Sequence, residues 1–110
     1  MQVDIPKEKK LTVICRVESG CLGPEGEKLV ARFCGFALDQ MESSVPAYMT
    51  IKILPRLKKE LPELDYQIMG RTLTRDQLAK YLLLFEDEPD LLEDRLNGQI
   101  IELINQYLGR

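Results

Sequence analysis

The chain contains no histidine and no tryptophan. Without an imidazole it has no side chain whose ordinary titration falls near neutrality, and no His-containing metal site. Ser-His and Cys-His triads, His-based zinc hydrolases and most zinc-finger patterns are excluded on the same ground. The missing indole removes the aromatic most typical of interface anchors. Long apolar runs are also lacking. The longest in the second half is Tyr81 to Phe85, far below a membrane span. Met1 to Lys10 has no apolar stretch of the secretory type, so the expectation is a cytoplasmic protein with no membrane partner.

Cysteine is scarce and odd in number: Cys15, Cys21 and Cys34, with no CxxC spacing. At most one pair could bridge, and a reducing compartment is the simpler reading. Three thiols without histidine make a poor zinc set, so no metal and no cofactor is expected.

The net charge of -3 hides an asymmetry. Residues 1–59 carry ten Lys/Arg against seven Asp/Glu, whereas residues 60–110 carry five against eleven. Polyanion binding by the whole domain is disfavoured, and the opposed halves can attract one another across the fold or across a dimer.

What is present is the material of one ordinary domain: 110 residues, 45% apolar and 30% charged. Residues 1–9 read as a flexible leader and 10–110 as a single domain. Leu11, Val13, Cys15 and Val17 alternate with Thr12, Ile14 and Arg16, which predicts a half-buried strand. SGCLGPEG (19–26) is a turn, and Pro24 to Met41 has helical spacing. Ala47, Met49, Ile51 and Ile53 predict a second strand ending at Pro55, and Leu64, Tyr66 and Ile68 a third that fades at Gly70. Thr74 and Gln77 form a capping box that starts a helix at Arg75 and carries it to about Phe85. Pro89 opens the last helix, whose apolar stripe runs from Leu92 to Tyr107, and Gly109 stops it.

The predicted order is β-α-β-β-α-α, an α+β domain with a three-stranded sheet and the helices on one face. The third strand is placed between the first two. This resembles the split β-α-β arrangement of ferredoxin-like folds without their last strand, an architectural likeness that implies no particular function.

Four features carry candidate chemistry. The loop Gly20, Cys21, Gly23, Gly26 precedes a helix and could bind an anion or nucleotide through backbone amides. It lacks the P-loop ending and GxGxxG, and Glu25 and Glu27 oppose an anion, so a structural turn is favoured. Cys21 lies at a helix start, where thiols can be activated, with Arg16 as a candidate helper. Cys15 and Cys34 fit as small buried residues. An outer sheet face of Ile14, Arg16, Tyr48, Lys52 and Met69 suits protein association better than RNA, which would need two or three aromatics. The acidic run Glu86 to Asp94 lacks EF-hand spacing and fits a solvated helix start. No catalytic set emerges. The leading expectation is a non-enzymatic interaction module that self-associates through its sheet face or an open strand edge, with a thiol-based enzyme or sensor at Cys21 as the alternative.

Overall fold

Parallel neighbours need a long crossover, and the sixteen-residue first helix supplies it. The computed structural model describes residues 5–110, so the first four residues of the expected leader lie outside the described residues. The elements are β1 (Leu11–Val17), α1 (Gly26–Met41), β2 (Met49–Pro55), β3 (Leu64–Ile68), β4 (Arg71–Thr72), α2 (Arg75–Leu83) and α3 (Pro89–Leu108). Single 3-10 turns stand at Lys7–Lys9 and Ser19–Leu22.

The α+β class is as expected, but the sheet differs from the expected one in two ways. It has four strands in the order β2-β1-β3-β4, so of the three expected strands β1, not the third, stands between the other two. β2 pairs with β1 in parallel, Leu11 opposite Met49 and Val17 opposite Pro55. β3 pairs antiparallel on β1's other flank, Val13 opposite Tyr66. The physical reason lies in β1 itself. Its inner row is almost wholly apolar, and its outer row holds Ile14, which is 7% exposed between Lys52 of β2 and Asp65 of β3. Only a strand flanked on both sides shields such a residue. The likeness to a split β-α-β therefore does not hold, because the parallel pair are direct neighbours.

The second difference is β4. Met69 and Gly70 both take positive φ, 54° and 77°, so the chain reverses and Arg71–Thr72 pairs back onto β3. Two central residues at positive φ are the mark of a type I′ hairpin turn, usually signalled by Asn-Gly. Met-Gly gives no such signal, and two residues are too few to show alternation.

All three helices cover the inner face. Phe33, Ala37 and Met41 of α1, Leu78 and Leu82 of α2, and Leu92, Leu96, Leu103 and Ile104 of α3 join Leu11, Val13 and Cys15 in one buried cluster. Phe33 also meets Tyr107 edge to face at 5.5 Å, which ties α1 to the end of α3. The capping box forms as expected: Gln77 N–H donates to Thr74 Oγ1 at 3.1 Å, and Thr74 N–H donates to Gln77 Oε1 at 2.8 Å. Glu86 (φ 58°) stops α2 in the left-handed conformation, with the Asp87 N–H donating to the Leu82 carbonyl at 3.0 Å. Near the start of the described chain, Ile5 packs on the core and the Tyr81 hydroxyl donates to the Lys9 carbonyl at 2.8 Å.

The α2–α3 connection is pinned by Asp87. Its carboxylate accepts from the Tyr48 hydroxyl at 3.0 Å, from the Glu88 N–H at 2.9 Å and from Arg95. Burial alone would raise this carboxyl, but those donors outweigh it and hold Asp87 below the usual carboxylate range. A carboxyl lowered in the folded state stabilises above its unfolded value and loses that stabilisation as pH falls through its native one. Asp87→Asn should therefore be less stable than the parent by about 1.5–3 kcal/mol at pH 7. The gap should narrow progressively below about pH 4. Denaturant melts of both proteins across that range check it, and a gap independent of pH would contradict the assignment.

Candidate functional site

The loop 19–26 owes its glycines to backbone geometry. Gly23 has φ 86° and ψ −164°, a region that side-chain-bearing residues rarely enter. Gly26, the first residue of α1, lies so close to the preceding turn that a Cβ there would fall 1.7 Å from the Ser19 carbonyl oxygen. Gly20 has open space around it. Three of the loop's amides already donate to nearby carbonyls: Cys21 to Glu18, just before the loop, at 3.1 Å, Gly23 to Gly20 at 3.2 Å and Gly26 to Gly23 at 3.0 Å. Pro24 has no donor, so few amides are left to face an anion.

Beside this loop a cleft of about 320 Å³ opens between the carboxyl end of β1, the Ser19–Leu22 turn, the start of β3 and the second half of α3. Cys15, Val17, Leu64, Ile100, Ile101 and Ile104 supply its apolar walls, while Arg16, Glu18, Cys21, Glu63 and Asn97 bring polar groups to it. Cys15 and Cys21 thus share one cavity but not one environment. Cys15 is buried, and desolvation pushes its thiol up to about 12; burial likewise raises the Cys34 thiol to about 11. Cys21 is exposed.

Arg16 is not turned to Cys21 as a dedicated partner. It donates to the Pro62 carbonyl at 2.9 Å and pairs with Asp65 at 3.6 Å. Arg56, which the sequence did not single out, does comparable work on the far side. Its guanidinium donates to the carbonyls of Leu61 and Lys59 at 2.9 and 2.8 Å and to Glu18 at 2.7 Å. The two arginines thereby fix the 56–63 connection against the cleft's rim.

Of the five residues expected on one outer face, Ile14, Arg16 and Lys52 share it, with Ile14 directly opposite Lys52, whereas Tyr48 and Met69 do not join them. Tyr48 is a correction: at 7% exposure it belongs to the core, stacked on Phe85 with ring centres 4.1 Å apart. It stands just before β2, where strand alternation does not yet govern it, and its hydroxyl finds Asp87 inside. Burial, then the Asp87 hydrogen bond, pushes that hydroxyl up to about 12. Ile14 is buried within the outer row, and Lys52 is exposed on the edge strand. Met69 sits 74% exposed at the tip of the β3–β4 hairpin.

In the acidic run, Asp87 is engaged as described, and Asp90 and Glu93 pair with Arg75. Glu93 also accepts from the Tyr66 hydroxyl at 3.2 Å. Among the described residues no group of three or more acidic or thiol side chains is placed to hold a metal ion, and no helix is long and apolar enough to cross a membrane.

Part of the cleft was visible in the sequence. Ile100 and Ile104 lie on the apolar stripe of α3; Ile101 lies off it, and an isoleucine outside the stripe was the available signal. Arg56, Glu63 and Asn97 carried none, because their part depends on contacts across the fold.

Two outcomes follow from this geometry. Gly26→Ala should destabilise the domain by about 2–4 kcal/mol, since the obstructing atom is backbone, while Gly20→Ala should change stability by no more than about 0.5 kcal/mol. Chemical denaturation of the pair measures both. In the folded protein, a disulfide reagent such as DTNB should titrate one thiol rapidly, at Cys21, and the other two only on unfolding; mass mapping identifies the site. No family model, no curated protein and no solved structure matches this chain.

Proposed function

We propose that the chain is a protein-interaction module, without catalysis of its own, that self-associates through the open edge of β2 and the segment that continues it. The observation carrying this reading is a run of exposed leucines: Leu54, Leu57 and Leu61 are 44, 83 and 36% exposed. They amount to three of the eight large exposed hydrophobics among the described residues, gathered in one eight-residue stretch. Scattered apolar residues need no explanation, but a set concentrated in a strand with an unpaired edge and in the connection that leaves it suits an association surface.

Arg56 supports the reading energetically. By holding the carbonyls of Lys59 and Leu61, it presents the leucines on an ordered connection, which lowers the entropy lost on binding. Lys52 restricts how two copies can pair. An antiparallel pairing centred on residue 52 would oppose like charges, a destabilising arrangement. Centring on Ile53 instead sets Lys52 opposite Leu54 of the second copy, where the lysine stem can cover the leucine. A reducing, cytoplasmic setting belongs to the same proposal, supported by three free thiols.

The alternative of a thiol enzyme or sensor draws on the exposure of Cys21. It is the weaker reading, because Arg16 is committed to Asp65 and Pro62.

Light scattering over a protein concentration series tests the proposal. The parent should form dimers, and a Leu54→Lys, Leu57→Lys, Leu61→Lys triple variant should dissociate at least about tenfold more readily, which corresponds to ~1.4 kcal/mol. All three positions are exposed, so the variant should keep its circular dichroism. A parent that stays monomeric throughout, or a triple variant that dimerises equally well, would sink the idea.

A further inference from the structure

We infer that the cleft between β1, β3 and α3 is a binding site for a small apolar molecule that is neutral or carries a single positive charge. Its volume of about 320 Å³ falls at the lower end of small-molecule pockets. Ile100, Ile101 and Ile104 place three β-branched side chains within five residues of a helix, where such residues are mildly unfavourable. Ile104 is rooted in the core and Ile100 packs against it, while Ile101 remains 58% exposed at the rim and leaves apolar surface free there.

The walls are held apart by contacts that do not depend on a ligand. Gly26 against Ser19 fixes the turn that carries Cys21. Arg56 fastens Glu18, at the start of that turn, to the 56–63 connection, and Arg16 fastens Pro62 to β1. A cavity bounded in this way cannot readily collapse, and binding to it requires little reorganisation.

Charge selects among apolar ligands. The charged residues that line the cleft are Arg16, Glu18 and Glu63; outside the lining, Asp65 pairs with Arg16 at 3.6 Å, and Arg56 with Glu18 at 2.7 Å and Glu63 at 3.7 Å. Three carboxylates against two guanidinium groups leave an excess of negative charge. An anion is repelled there, whereas a neutral molecule or a monocation is not. The exposed Asn97 amide at the same rim offers both a donor and an acceptor to a polar head.

The cleft lining includes none of Leu54, Leu57 and Leu61, and one set of measurements separates the two surfaces. Nile red, a neutral apolar dye, should bind the parent saturably at one per chain with blue-shifted emission. The anionic dye 1-anilinonaphthalene-8-sulfonate should bind at least tenfold more weakly. Ile101→Asp should raise the Nile red dissociation constant at least tenfold, and Cys21→Trp, which fills the mouth from a different element, should do the same if the first variant proves unstable. Alkylating Cys21 with N-phenylmaleimide should block the dye. The Leu54/Leu57/Leu61 lysine variant should bind it like the parent, whatever its oligomeric state. Absence of saturable binding, equal affinity for the anionic dye, or indifference to both mouth variants would overturn the inference, as would loss of the dye in the lysine variant.

Discussion

β1 is hydrogen-bonded along both of its edges, and the rest of the fold is arranged around meeting that requirement. On one flank the partner is parallel, so the chain must travel back along the sheet before β2 can pair; α1 is that return path, and its apolar side seals β1's inner row. On the other flank the partner is antiparallel, so β3 can follow β2 only after the 56–63 connection has carried the chain across the end of β1. α2 and α3 then close over the part of the inner face that α1 leaves open. Leu11 and Val13, fully buried at the centre, are where these three demands meet.

Arginine side chains tie down the long connections. Arg56 orders the β2–β3 segment, Arg75 joins the start of α2 to the first turns of α3, and Arg95 reaches Asp87 in the α2–α3 turn. Exposed pairs of this kind contribute little singly. The Arg95–Asp87 pair contributes more, because Asp87 also accepts from the buried Tyr48 hydroxyl, which would otherwise be unpaired away from water. The opposition of charge between the two halves of the sequence is realised only in part: Arg16–Asp65 and Arg56–Glu63 cross between halves, whereas Arg75 and Arg95 find their carboxylates within the acidic half.

The glycine loop and the cleft belong together. Gly23 and Gly26 let the Ser19–Leu22 turn fold tightly against the start of α1, and this places Cys21 at the border of the cavity instead of over the helix. The loop's amides are largely spent on that turn. Its role is thus to shape a neighbouring wall, which accounts for a glycine-rich helix start without a phosphate motif.

Much of this protein was settled by local chemistry. Alternation of apolar residues defines β1, β2 and β3; the Thr74–Gln77 box and Pro89 start two helices, and Gly109 ends one. These signals are short in range, so a single chain displays them. The lack of histidine likewise limits the available chemistry whatever the fold. The order of the strands was not determined in this way, because alternation says which side of a strand is buried but not which strand flanks it. Ile14, an apolar residue in an otherwise polar row, was the one hint that β1 is interior. Tyr48 shows the same limit: its place in the sequence suits the outer face, and only the meeting with Phe85 and Asp87 takes it inside. The α3 wall of the cleft shows in the sequence, but the void itself is a tertiary product. Its residues come from β1, the turn after it, β3 and α3, separated by up to 89 positions, and no local pattern can report a void formed where such distant segments fail to touch.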